Sequence, residues 1–374
     1  MELIMTGLDH KRASLETREK FALTNEKTGQ ILKALKDVGI VGGNVLISTC
    51  NRTEFYASVP EAGRFEAAKT LCKALDREYS EYKHIFTEKT GAQAIDHLCR
   101  VASGIDSQIM GDDQIITQTR EALELSRKIK CVDSYIETMF RYSIQAAKAI
   151  KTNVILKTLG ADSVPDKTIE KLKTLIAEAR AGETSKKANC TTHPPLSSLL
   201  SPLSSSKSDL AGLNALVIGN GQIGRHVAEL LIREKANVTI TLREYKKGII
   251  IVPSGAETIS YSERYKAINS ADIVISATRS PHFTLHYKEL AGLDRKPEII
   301  VDLAVPRDVD PEIQEIPGTK LLTIDDITGE NRTLPPESAT EIEKIIKTHT
   351  EKYQKWLTYK ESVATQNLAL GRLF

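Results

Sequence analysis

The spacing of hydrophobic positions changes character several times along the chain, and each change predicts a different architecture. Glu2 to Leu8 reads as a short strand, followed by a polar, helix-favouring stretch from Leu15 to about Val38. Asn44 to Thr49 is apolar and β-branched, and a second strand resumes over Glu54 to Ser58 after a break at Cys50-Asn51-Arg52. A helix is expected from about Arg64 to Tyr79. Strands and helices mixed so closely predict a small α+β domain of ferredoxin-like kind. From Gly91 to about Leu159 the pattern becomes helical, with a glycine-marked break at Gly104 to Gly111. Ile136, Met139, Phe140, Ile144 and Ala147 recur at helical spacing within Ser134 to Val154.

The texture then breaks. Residues 181–208 carry Pro194-Pro195, Ser197-Ser198 and Ser204-Ser205-Ser206, a low-complexity run expected to bury no core and to act as a flexible insertion. Beyond Asn214, strands and helices alternate. Strands are expected at Ala215 to Gly219, Asn237 to Leu242, Asp272 to Ala277, Glu298 to Leu303 and Lys320 to Ile324. Such alternation predicts a parallel sheet covered on both faces. A long helix from Glu337 to about Tyr359 ends the pattern, with an apolar stripe at Ile342, Ile345, Ile346, Tyr353, Trp356 and Leu357. That stripe must pack on this chain or on a partner. The fold class is therefore α/β multidomain, divided at 1–159, a connecting segment 160–212, a dinucleotide module 213–330 and a C-terminal helix within 335–374.

Composition narrows the classes. The 374 residues carry 51 basic and 49 acidic side chains, so no global field calls for nucleic acid, although a local patch would suffice. Five cysteines without paired spacing argue against a disulfide scaffold and for a reducing compartment. The N-terminus lacks signal-peptide features, and no apolar run approaches the roughly 20 residues that span a bilayer. A cytoplasmic protein without membrane contact or metal site is expected.

The segment preceding and following Gly219-Asn220-Gly221-Gln222-Ile223-Gly224 is an apolar strand and an amphipathic helix. In that context G-x-G-x-x-G signals a dinucleotide site. Gly219 permits the tight turn, Gly221 lets backbone approach the pyrophosphate, and Gly224 lets helix and strand pack closely. At the end of the next strand Arg243 is followed by Glu244, Lys246 and Lys247. Three cations against one carboxylate lean toward a cofactor with a 2′-phosphate, hence NADPH.

Cys50 lies where a strand breaks, beside Arg52, whose charge would stabilise a thiolate nucleophile. A buried, inert cysteine would fit the same position. The surrounding motifs add to this. Thr49-Cys-Asn-Arg-Thr-Glu-Phe-Tyr56 resembles the signature of glutamyl-tRNA reductases. So do Gly7-Leu-Asp-His10-Lys11, the run from His97 through Asp106, Ser107 and Gly111 to Gln118, Ala271 to Thr278 with Ser280-Pro281-His282, and Val301 to Pro311. The likeness runs in order from residue 1 to about 357, interrupted by the insertion.

The resemblance implies that residues 1–159 form the catalytic, glutamyl-tRNA-binding domain and that the chain makes glutamate-1-semialdehyde, a tetrapyrrole precursor, from glutamyl-tRNA. Cys50 would form a glutamyl thioester, which NADPH would reduce. Arg52 matches a substrate-holding position and His97 one important for activity. Thr49, Asn51, Ser107, Gln114 and Gln118 match positions lining the glutamate pocket, which Asp112 and Asp113 would join. The family's usual Gly-Glu-Pro-Gln stands here as Gly111-Asp112-Asp113-Gln114, and its Asn-Arg-Thr after the second Rossmann strand is replaced by Thr241-Leu242-Arg243. Family members usually continue into a helical dimerisation domain, whereas this chain stops 18 residues after Trp356. That domain is thus expected to be truncated, with the last helix a candidate homodimer contact and the downstream semialdehyde aminomutase a candidate partner. Two alternatives stand beside this reading: a related Rossmann reductase for another acyl or tetrapyrrole substrate, and a non-catalytic dinucleotide sensor.

Overall fold

The computed structural model describes residues 1–108, 110–111, 114–154, 163–183, 210–243, 251–278, 280–328 and 334–369. The chain divides into two compact units, Met1–Ala161 with Glu330–Phe374, and Asp162–Gly329.

The first unit opens with β1 (Glu2–Asp9), α1 (Leu15–Phe21), α2 (Asn25–Asp37), β2 (Asn44–Ser48) and β3 (Arg52–Val59). It continues through α3 (Ala67–Ala74), a short α4 (Tyr79–Tyr82), β4 (Thr87–Thr90) and α5 (Gly91–Ser103). The stretch expected as one helix from Leu15 to Val38 is two. Thr24 caps the second by accepting from Lys27 N, and local capping of this kind competes with helix continuation. The strands pair antiparallel in the order β2-β3-β1-β4, the ferredoxin-like arrangement anticipated from the mixed pattern.

All eight residues of β3 are buried, because both sheet faces are covered. On one face Ile4, Leu8, Leu46 and Phe55 meet Phe21, Leu32 and Leu71 from the first three helices. On the other, Met5, Val45, Ile47 and Tyr56 meet α5 and two further elements. Those are α7 (Ser134–Asn153), preceded by α6 (Gln114–Lys128), and the last helix described below. Gly104, at φ 80°, ends α5 in the left-handed conformation that glycine adopts without strain.

The second unit begins earlier than its first strand. Residues 160–212 were expected to be connecting chain, yet Val164–Glu183 is a helix, α8. Ile169, Leu172 and Ile176 form its buried stripe, and Ser163 exchanges hydrogen bonds with Asp166 as a capping box. The remainder of the expected insertion, 184–208, lies outside the described residues. Next come β5 (Asn214–Ile218), α9 (Gln222–Arg233), β6 (Asn237–Leu242), β7 (Glu257–Ser260), α10 (Arg264–Ile268) and β8 (Ile273–Ser276). Then follow α11 (Tyr287–Ala291), β9 (Ile299–Asp302), β10 (Lys320–Thr323) and α12 (Ile324–Thr328). The six strands are all parallel in the order β10-β9-β8-β5-β6-β7. The order reverses between β5 and β8, the topological switch point where doubly wound sheets bind ligands. Only β7, a four-residue edge strand with no apolar alternation, was not anticipated.

The final helix, α13 (Pro336–Ala369), returns to the first unit. Its stripe at Ile342, Ile345, Ile346 and Tyr353 is buried against α5 and α7, and Arg100 of α5 donates to Glu343 at 2.6 Å. The stripe read from the sequence is thus satisfied within this chain.

Candidate active site

The turn between β2 and β3 holds Thr49, Cys50 and Asn51. It is closed by Thr49 N donating to Arg52 O at 2.9 Å and Asn51 N donating to Thr49 Oγ1 at 3.2 Å. Just beyond the end of β1, His10 N donates to Asn51 O at 2.9 Å. Arg18, itself buried, donates from Nη1 to Cys50 O at 2.8 Å and to Asn51 Oδ1 at 3.3 Å. Backbone contacts from Arg52 and His10 and the Arg18 guanidinium therefore fix where the Cys50 side chain leaves the turn. Cys50 is partly exposed, whereas Cys72, Cys99 and Cys131 are buried. Burial pushes the Cys99 thiol up to about 12 and the Cys72 thiol up to about 11, so neither offers a thiolate near neutrality.

Below the turn, strand periodicity points Arg52, Glu54 and Tyr56 to one face. Arg52 Nη1 and Glu54 Oε1 pair at 2.8 Å with both side chains about 1% exposed. Tyr56 OH donates to Glu54 Oε2 at 2.7 Å, and His97 Nε2 from α5 lies 3.0 Å from Glu54 Oε1. Burial alone would raise the Glu54 carboxyl, but the Arg52 guanidinium and the His97 and Tyr56 contacts outweigh it and hold it at about 2. A carboxylate on Nε2 keeps the proton of a neutral imidazole there and leaves Nδ1 as the acceptor.

The second guanidinium nitrogen of Arg52 donates to Asp106 O at 2.5 Å, and Lys11 Nζ meets Asp106 Oδ1 at 3.0 Å. Arg52 therefore ties the loop after α5 to β3, beside buried Ser107. Any grip of Arg52 on a substrate carboxylate would compete with these two partners. Gln114 and Gln118 stand one turn apart at the start of α6, both half-buried. Asp112 and Asp113 lie outside the described residues.

Glu54, Tyr56, Arg18, Asp106 and His10 carry no role that the sequence motifs assign. The signal for the first two was available: polar residues at alternate positions in a strand with no exposed face. His10 is different. Burial pushes its imidazole down to about 4 against the pull of Asp9, and both ring nitrogens are buried without a hydrogen-bond partner.

The dinucleotide residues belong to the second unit. Gly219 has φ 108°, and a Cβ there would lie 2.7 Å from Ala277 O. A Cβ on Gly224 would come 2.1 Å from Gly219 O, so only glycine lets α9 start against β5. Gly221, in contrast, has nothing closer than 3.9 Å on its Cβ side, which leaves that side open at the N-terminus of α9. Asn220 donates to Ile251 O at 3.0 Å while its buried Oδ1 has no partner. Gln222 and Ile223 form the first turn of α9. This backbone fits a dinucleotide pyrophosphate. Arg243 directly follows β6, whereas Glu244, Lys246 and Lys247 lie outside the described residues.

At the carboxyl ends of β8 and β9, Asp308 accepts from Ser276 Oγ at 2.8 Å, Thr278 N at 2.7 Å and Thr278 Oγ1 at 2.6 Å. Nearby Asp302 accepts from Ala304 N and Val309 N. Its own burial, reinforced by the Asp308 carboxyl, pushes Asp302 up to about 8. Among the described residues no cluster of His, Cys, Asp and Glu has the arrangement of a metal site, and no helix is long and apolar enough to cross a membrane.

Comparison with known proteins agrees with this division. Residues 6–154 match the family model of the glutamyl-tRNAGlu reductase N-terminal domain, and residues 203–330 that of shikimate / quinate 5-dehydrogenase. The chain is 35% identical over 367 residues to a glutamyl-tRNA reductase of Alkaliphilus oremlandii, covering 97% of this chain and 99% of that one. It is 37% identical over 367 residues to a glutamyl-tRNA reductase of Acetivibrio thermocellus, covering 96% and 98%. A probable multifunctional siroheme biosynthesis protein HemA of Ruminiclostridium josui is 37% identical over 365 residues, 97% of this chain and 64% of that protein.

Proposed function

The chain belongs to the glutamyl-tRNA reductase family, and from that premise we propose that it reduces glutamyl-tRNA to glutamate-1-semialdehyde through a thioester on Cys50, with NADPH as reductant. The observation that carries this reading is the placement of Cys50. It is a partly exposed thiol on a turn pinned by Arg18 and His10, at the end of the strand that bears the Arg52–Glu54–Tyr56 ladder.

Catalysis is assigned to the first unit and cofactor binding to the second. The Cys50 sulfur attacks the ester carbonyl, the carbon–sulfur bond forms, and the bond to the terminal ribose oxygen of the tRNA breaks. The thiol proton must reach that oxygen. His97, with Nε2 held by Glu54, offers Nδ1 for the transfer, and proton shuttling of this kind contributes about 10²–10⁴ in rate. Thr49, Asn51, Ser107, Asp112, Asp113, Gln114 and Gln118 would orient the glutamyl group. Arg52 does so through Glu54 and the Asp106 loop. When bound, the nicotinamide would supply the hydride that takes the thioester carbon to the aldehyde, with the Cys50 sulfur leaving as thiolate. Gly219, Gly221 and Gly224, with Asn220, Gln222 and Ile223, would hold its pyrophosphate, and Arg243 would take the 2′-phosphate.

The aldehyde is reactive, which makes the aminomutase that consumes it a fitting partner. The outer face of α13, where Tyr359 is exposed, is the proposed homodimer contact. Cysteine usage favours the cytoplasm.

Cys50→Ser is the direct test. Mass spectrometry of the protein mixed with glutamyl-tRNA and no NADPH should show a glutamyl adduct on Cys50 of the wild type and none on the variant, which should also form no semialdehyde. Undiminished semialdehyde formation by Cys50→Ser would overturn the mechanism.

A further inference from the structure

Four side chains stack in alternation beyond the carboxyl ends of β6 and β7. The Arg243 guanidinium lies 4.9 Å from the ring centroid of Tyr261. Arg264 lies 4.3 Å from the same ring and 4.7 Å from that of Tyr265. Arg264 is anchored at both ends of its guanidinium, with Nε donating to Thr284 O at 2.8 Å and Nη1 to Tyr261 O at 3.1 Å. Tyr261 is therefore held by a fixed neighbour on one side and engages Arg243 with its ring.

The register explains why these residues meet. Leu242 of β6 pairs with Ser260 of β7 in parallel, so the next residue of each strand, Arg243 and Tyr261, leaves the sheet side by side. In this topology the end of the second strand is where the ribose 2′ position of a dinucleotide is read. Two guanidiniums gathered around one ring also concentrate positive charge, beside which the Asp308 carboxyl already interacts with Arg243.

We propose that Tyr261 is a specificity-determining residue for the cofactor, presenting Arg243 as a pre-set plane to the 2′-phosphate. The proposal rests on the reading of Arg243 as the 2′-phosphate contact. A free arginine side chain loses rotamer freedom when it grips a phosphate, and a ring that already holds the guanidinium removes part of that cost. The consequence is selective. NADPH gains from the ordered arginine, whereas NADH lacks the group that arginine reads.

The test is fluorescence titration of the full chain with NADPH and with NADH, for wild type, Tyr261→Phe, Tyr261→Leu and Arg243→Leu. Removing the ring in Tyr261→Leu should weaken NADPH about three- to tenfold and NADH less than about twofold, from the usual size of a cation–ring contact. Tyr261→Phe keeps the ring face and should restore wild-type NADPH affinity. Retained NADH binding reports that the module is folded. Equal weakening of both cofactors by Tyr261→Leu, or no weakening of either, overturns the role of Tyr261 while a selective NADPH loss in Arg243→Leu leaves the 2′-phosphate reading standing. A wild type that binds both cofactors equally, or an Arg243→Leu variant that keeps the NADPH preference, overturns that reading itself.

Discussion

Glu54 shows what a single residue contributes here that its neighbours in sequence do not. One carboxylate accepts from Arg52, Tyr56 and His97 inside a strand with no exposed face. Replacing it by a neutral amide removes the carboxylate paired directly with buried Arg52. Glu54→Gln should therefore cost about 3–5 kcal/mol at neutral pH, the usual penalty for breaking one side of a buried pair. The pH dependence follows from the depressed carboxyl. Its ordinary value is 4.5 and its folded value about 2, so the stability it contributes is fully present above 4.5 and is lost as pH falls through about 2. Denaturant midpoints of the wild type should fall across that window, and those of Glu54→Gln should fall less. Equal slopes would remove Glu54 from the account. Motif resemblance singled out Arg52 and His97, but not their linkage through Glu54, because it joins β3 to a helix 43 positions along the chain.

At the scale of elements, strand and helix periods carried most of the fold. In the six-residue glycine pattern, Gly219 and Gly224 each answer a close backbone contact. Gly224→Ala places a methyl 2.1 Å from Gly219 O, which has to displace α9 from β5. Overpacking of this kind costs about 1–3 kcal/mol. The expected outcome is a severalfold or greater loss of NADPH affinity with the Cys50 thioester still trapped from glutamyl-tRNA. Unchanged NADPH affinity would show that the cofactor does not lie on this turn. Periodicity failed at α8, where nearness to a Ser- and Pro-rich run obscured a clear stripe at Ile169, Leu172 and Ile176. It also failed at β7, an edge strand whose formation depends on β6 rather than on its own residues.

At the scale of the whole molecule the two units carry opposite electrostatic liabilities. Glu54 makes the first unit sensitive to acid. Asp302, ordinarily near 3.8 and about 8 when folded, acts in the other direction in the second. Its folded form keeps a proton that the unfolded chain releases, so its contribution is fully present below about 3.8 and is lost as pH rises through about 8. Scanning calorimetry between pH 5 and 8.5 should show a transition of the second unit that moves down as pH rises, a trend that Asp302→Asn flattens. A trend unaltered in that variant would reject the assignment. The sequence by itself determined the two architectures and the glycine turn, because these follow from local period and from backbone space. Only the tertiary structure decided that α13 closes over α5 and α7, that α8 joins the second unit, and which carboxylate holds Arg52 and His97. Those depend on contacts between distant segments, which a one-dimensional pattern does not specify.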